Sequence, residues 1–262
     1  MKTLILLLAS LSFALSLTAD LKETRELSLA TDGIDLLEID CGSGFLKIEG
    51  QNKSNRIEVK ADVYIDVVDM NDFNKIAEKQ LELNLKKEGK KAVLVASFGN
   101  KNPLLSGFFS SSINKRIDLT VTLPEYLNLS VDDGAGHIII KNLQGNIMLD
   151  DGSGSIKLMH SGGKVKIDDG SGDVEARDIG GSIYIDDGSG DLLCDTVEGD
   201  CVIDDSSGDI ILMNVSGDVT VDDGSGTIRI NTVKGDVIIK DKGSGRVNIS
   251  NVDGNVYRHD EE

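Results

Sequence analysis

Tryptophan is absent, and only four Tyr, six Phe, two Pro and three His occur among 262 residues. So few aromatic side chains argue against a large, aromatic-rich enzyme core. His137, His160 and His259 are scattered, with neither metal-ligand spacing nor a nucleophile alongside. Basic residues are scarce as well: 27 Lys and Arg face 45 Asp and Glu, a formal charge of −18. A surface of that sign repels nucleic acid and anionic lipid, so no nucleic-acid partner is expected. Long apolar runs are missing after the opening segment, so no transmembrane segment is expected either.

That opening segment is MKTLILLLASLSFALSLTAD. Lys2 supplies a positive start, and Leu4 to Leu17 an apolar stretch too short to span a bilayer before charged sequence begins. Residues 1–19 read as a signal peptide cut after Ala19, with no cysteine following to carry a lipid anchor. The mature chain is therefore expected in a periplasm, at a cell surface or outside the cell.

Glycine, by contrast, is abundant at 29 residues, and it is periodic. The phrases VDDGAGHIII, LDDGSGSIKL, IDDGSGDVEA, IDDGSGDLLC, IDDSSGDIIL and VDDGSGTIRI begin at residues 131, 149, 167, 185, 203 and 221, a strict period of 18. A short strict period means stacked units, each burying its apolar face only against its neighbours. With the first Asp of each pair as position 1, apolar residues recur at positions 7, 9, 12, 16 and 18, as in Ile228, Ile230, Val233, Val237 and Ile239. Two strands per coil, each with period-two alternation, would then face each other through a thin core, with coils about 4.8 Å apart. The expected fold is all-β: a parallel β-helix (solenoid) with 18-residue coils. Glycines at positions 3, 5 and 14 mark corners needing left-handed or close-packed backbone. Lys242 reads as a one-residue insertion, and Arg258, at an inward position, as part of a terminal cap.

Residues 36–50, LLEIDCGSGFLKIEG, look like one degenerate coil with Asp40-Cys41 in the place of Asp-Asp. They lie 92 residues before Asp132, which is not a multiple of 18, so other structure intervenes. The intervening sequence reads as strands at Arg56–Ile65, Leu83–Lys87, Ala92–Phe98 and Arg116–Leu123, with one short helix at Asn71–Gln80. The expected layout is a signal peptide (1–19), an N-terminal capping region (20–130), solenoid repeats (131–258) and an acidic tail (259–262). Leu104, Leu105, Phe108 and Phe109, in a loop among turn residues, either tuck against the cap or form an exposed loop that docks a partner or touches a membrane.

The stretch RIDLTVTLPEYLNLSVDDGAGHIIIKNLQGNIMLDDGSGSI resembles the DUF4097 family of adhesin-like proteins. Pro124, Leu129, Val131, Gly134, Gly136 and Ile138 carry the likeness, which extends over about residues 30–258. The resemblance implies an exported or surface β-helix and brings no catalytic residues; architecture alone does not fix function.

Position 2 is Asp in seven successive turns, at 133, 151, 169, 187, 205, 223 and 241. Stacked carboxylates need compensation, and two forms are open. Either each accepts hydrogen bonds from its own corner, or the ladder of Asp133, Asp151, Asp169, Asp187, Asp205 and Asp223 holds Ca²⁺ as a cofactor. Such a ladder could then stabilise an envelope scaffold. A carbohydrate-active enzyme is the distant third reading, because identical acids in a column offer no distinct acid and base. Outward columns bring apolar side chains to both broad faces. Leu193, Ile211 and Met213, with Tyr184 and Val202, are the candidate ligand-binding residues. Cys194 and Cys201 occupy facing positions of one coil, as a disulfide or as two buried thiols; Cys41 has no evident partner. The expected function is a non-enzymatic, adhesin-like binding or structural module with an unidentified envelope, glycan or protein partner.

Overall fold

The computed structural model describes residues 21–99 and 113–259. The expected signal peptide, the loop residues Leu104, Leu105, Phe108 and Phe109, and residues 260–262 lie outside the described residues.

Two eleven-stranded sheets face each other across one continuous apolar core. In each coil one strand, such as Ile156–Ser161, joins the first sheet and the next, such as Val165–Asp169, joins the second. Neighbouring coils pair in parallel at an offset of 18 residues: Ile156 lies beside Val174, Leu158 beside Ala176, and Ile147 beside Val165. This is the expected parallel solenoid. Ile228, Ile230, Val233, Val237 and Ile239 are each no more than 1% exposed, which places all five apolar positions inward. Ser161 breaks the apolar pattern; it is buried, and its hydroxyl has no hydrogen-bond partner.

The corners explain the remaining repeat residues. The position-5 glycines take φ between 142° and 152°, which a side chain would strain. At position 14 the reason is space: a Cβ on Gly163 would stand 2.4 Å from the carbonyl oxygen of Gly145 in the coil above. Position 11 holds a left-handed residue in every coil, and it is never glycine: Asn142, His160, Asp178, Thr196, Asn214 and Thr232. That left-handed step resets the alternation, so the inward position after 9 is 12. Side chains also cap the corner amides of the next coil. Asp191 Oδ1 accepts from the Asp209 amide at 2.9 Å, and Asp200 Oδ1 from the Asp218 amide at 3.0 Å. The recurrent Gly-Asp phrase is therefore a backbone cap.

One register slip corrects the aspartate count. Between Val221 and Asp222 the pairing shifts, so that Asp241 lies beside Asp222 rather than Asp223. The extra residue is accommodated before Asp241, which is exposed and does not follow Asp223 in the column. The column therefore holds six aspartates and not seven.

The N-terminal part comprises β1 (Leu21–Ala30), β2 (Leu36–Ser43), β3 (Leu46–Gln51), β4 (Arg56–Ile65), α1 (Met70–Gln80), β5 (Leu81–Glu88), β6 (Lys91–Phe98) and β7 (Lys115–Pro124). β2 and β3 are the degenerate coil. They stack directly on the first full coil, with Asp40 beside Asp132 and Cys41 beside Asp133. β6 and β7 add one more parallel layer. β5, β4 and β1 then pair antiparallel and end the parallel stack. The Asp69 carboxylate accepts the Asp72 amide at 2.9 Å and caps α1, whose Phe73 and Ala77 are buried. At the other end Val256–Arg258 pairs with Val237–Ile239, and Arg258 stands beside the inward Ile239.

Candidate functional site

The inward aspartates define the first candidate. Each of the six is 1–3% exposed, because position 2 continues the inward parity of positions 16 and 18. In five of them Oδ1 accepts the amide of the serine two residues on, at 3.2 Å for Asp151 and 2.9 Å for Asp223. Asp133 instead accepts the Cys41 thiol at 3.3 Å. The corner thus supplies half of the compensation expected of it: every Oδ2 in the column is buried without a partner. Burial first, then the neighbouring carboxylates, pushes Asp169 up to about 7. Asp205 also rises to about 7, where burial is opposed by the Ser207 amide and reinforced by Asp187. Two unit charges 4.8 Å apart repel by roughly 0.9 kcal/mol in bulk water and by about 3.5 kcal/mol at an effective dielectric of 20. A buried file of six full charges is therefore unfavourable. Among the described residues, no three His, Cys, Asp or Glu side chains converge to hold a metal ion.

The second candidate is a trough of about 650 Å³ on the outer face of the second sheet. Ser130, Met148, Lys166, Tyr184 and Val202 lie side by side in strand register along its length. Leu36 and Glu38 of β2 continue it at one end. Five strand steps separate Leu36 from Val202, so the trough runs for about 24 Å along the solenoid axis. Met148 is 54% exposed, and the Lys166 ammonium sits 5.7 Å from the centre of the Tyr184 ring. Burial, then the carboxylates of Asp186, Asp204 and Asp168, raises the Tyr184 phenol above its ordinary range. The phenol is thus a neutral donor.

The five sequence-predicted ligand residues divide between opposite faces. Tyr184 and Val202 are adjacent in the trough. Leu193 and Ile211 are adjacent on the outer face of the other sheet, with Met213 on the same strand as Ile211. All three are half-buried, beside a ladder in which Glu175 bonds Lys157 at 2.7 Å and Arg177 at 2.6 Å. Sequence reasoning passed over Met148, Lys164 and Lys166, although the outward column at position 17 contains two of them. Leu36 was hidden by the long insertion between the degenerate coil and the first full one.

Cys194 and Cys201 are free thiols, both fully buried. A hydrogen bond with Cys194, then burial, holds the Cys201 thiol well above its ordinary range. His160 Nε2 lies 3.3 Å from Asp178 Oδ2, and His137 Nδ1 lies 3.1 Å from the Ser155 hydroxyl. Both imidazoles are thus engaged at solenoid corners.

No known family profile matches the chain, and no curated protein is significantly similar to it. Among solved structures, it is similar to a candidate cell adhesion protein from Clostridium sporogenes, 13% identical with a TM-score of 0.36, over 90% of this chain and 99% of that one. A candidate lipid binding protein from Parabacteroides distasonis is 19% identical with a TM-score of 0.45, over 90% of this chain and 96% of that one. A candidate adhesin from Bacteroides fragilis is 12% identical with a TM-score of 0.36, over 92% of this chain and 98% of that one. Identities this low carry over neither ligand nor activity.

Proposed function

We propose that the chain is an exported, non-catalytic, adhesin-like binding module whose partner lies along the trough of the second sheet. The trough is the observation that carries this reading. It is a preformed surface on rigid, register-locked strands, with an aromatic ring, apolar side chains and both signs of charge, Lys164 and Lys166 beside Glu38 and Asp200. Preformed surface avoids the ordering cost of a flexible loop. The partner is an extended chain, a glycan strand or a protein segment of the envelope, because the trough is long and shallow. Burial of the aspartates supports a non-catalytic role, since no substrate reaches a carboxylate 1–3% exposed. The sequence resemblance to the DUF4097 family and the amino-terminal signal-like segment support export. Among the described residues no helix is long and apolar enough to cross a membrane.

Screening the mature chain on a glycan array and on immobilised envelope polymers tests the reading. Against the best hit, Met148→Lys with Val202→Lys should weaken binding at least about tenfold, because it places two charges on the apolar floor. Leu193→Lys with Ile211→Lys should leave the affinity within about twofold, since additive effects at unshared surfaces are small. Loss of binding in the second pair alone would move the partner to the opposite face, with Leu193, Ile211 and Met213. Loss with Asp187→Asn alone, in a folded protein, would place it at the corner.

A further inference from the structure

The six inward aspartates form one file through the length of the solenoid. In the parallel register Asp133 lies beside Asp151, and the pairing continues through Asp169, Asp187 and Asp205 to Asp223. Successive carboxylates are thus one strand spacing, about 4.8 Å, apart. All six are at least 97% buried, and all six have an Oδ2 with no hydrogen-bond partner. A buried carboxylate oxygen without a donor is stable only if it is neutral or if a cation lies against it.

The groups around the file supply little positive charge. Cys41 closes one end through its thiol on Asp133, and at the other end the exposed Asp241 pairs with Asp222 and does not extend the file. Each inward aspartate has an outward aspartate directly before it in the chain. Asp173, Asp191 and Asp209, from the strand-side corners, add negative potential at Asp187, Asp205 and Asp223, and Asp241 adds to it at Asp223. Among the described residues, His137 opposes the rise at Asp151, behind burial, and Lys240 acts on the outward Asp204.

We propose that this file is a proton-binding column: the folded solenoid holds part of its six carboxyls protonated near neutral pH, so that mild acid tightens the fold and mild alkali loosens it. The protons sit on the otherwise unpaired Oδ2 atoms, and the serine amides hold Oδ1. Burial pushes Asp133 up to about 6, and Asp169 and Asp205 up to about 7. It raises Asp151, Asp187 and Asp223 as well, in each case as the first cause. An unfolded aspartate titrates near 4. Between that value and about 7 the folded chain binds more protons than the unfolded one. Stability from the column is therefore fully present below about pH 4 and is lost as pH rises through about 6 to 7. Three groups oppose it in stronger acid. Asp62, against its burial, is held below its ordinary value by Lys22 and Thr24, Glu175 by Lys157 and Arg177, and Asp209 by Arg229, and their contribution fades as pH falls through the carboxylate range.

Thermal melting of the mature chain at about pH 5 and about pH 8 tests the column, in salt high enough to screen surface repulsion. The midpoint should be at least about 5 °C higher in the acid buffer. Asp169→Asn with Asp205→Asn should remove at least about half of that difference, chiefly by raising the midpoint at alkaline pH. Asp168→Asn with Asp186→Asn removes the same formal charge from the exposed face; these carboxylates only add to the rise of Asp169 and Asp187, behind burial, so this pair should remove clearly less of the difference than the inward pair. Should the inward pair not fold, a carbon-detected NMR titration of the unaltered chain decides: aspartate carboxyls titrating above about pH 5 support the column, and their absence overturns it. A midpoint that rises with pH, or equal effects of the inward and outward pairs, would sink the proposal. So would a gain at alkaline pH on adding Ca²⁺ that EDTA reverses, which would make the file a metal ladder.

Discussion

Which side of the strand a side chain leaves decides its energetic weight in this molecule. Val219 is fully buried, and its chain neighbour Thr220 is half-exposed on the outer face. Val219→Asp should cost several kcal/mol by burying an unpaired charge, whereas Thr220→Asp should change stability by less than about 1 kcal/mol. Urea unfolding of both variants measures this, and equal costs would contradict the inward assignment. A second residue-scale effect comes from strain. Thr232 takes φ 64° at the left-handed corner, where other coils use Asn at φ 57° or 59°. A β-branched residue is poorly suited to that region. Thr232→Asn should therefore stabilise the chain by about 1 kcal/mol, provided the new amide replaces the Thr232 hydroxyl bond to Asn231. A lower denaturation midpoint in the variant would show that this bond outweighs the strain. The same scale explains what the sequence left unread. Position 2 shares parity with positions 16 and 18, so the alternation already points its Asp inward, but an acid beside a glycine turn looks like solvent-facing corner chemistry.

Strands and helix follow the sequence closely where local signals govern them. β4, α1, β5, β6 and β7 begin and end within two residues of the segments expected from periodicity. Their partners were not legible in the same way, because pairing depends on residues far apart in the chain. β2 belongs to the regular stack, in register with the strand Asn128–Ala135, although a whole capping layer intervenes in sequence. Only the chemical likeness of Asp40-Cys41-Gly-Ser-Gly to the repeated phrase signals this. The reversal to antiparallel pairing at β4 and β5 was equally silent, since strand direction leaves no mark on a period of two. The trough falls in the same class. Its residues were visible as an outward column, but the extension of its floor by Leu36 and Glu38 of β2 at one end was not.

For the molecule as a whole, a stack of coils is nearly one-dimensional, and its stability is set by its two ends as well as by its middle. Those ends differ. At the N-terminal end the antiparallel strands and α1 cover the core, and Phe73, Ile57 and Ile65 are fully buried there. At the C-terminal end the last strand has only three residues, Val256 and Tyr257 are 43% and 48% exposed, and Val247, Ile249 and Val252 are only partly covered. Fewer apolar contacts and solvent-facing backbone bonds lower the free energy of local opening. The chain should therefore fray from its C-terminal coil. In hydrogen exchange near neutral pH, amides of Arg246–Arg258 should exchange at least about a hundredfold faster than those of Ile183–Asp187, because each coil peeled from the end loses only one neighbour. Amides of β4 and β7 should be protected as well as the central coils. Faster exchange in β4 and β7 than at the C-terminal coil would mean that the N-terminal layer is an ornament on an already stable stack rather than its seal.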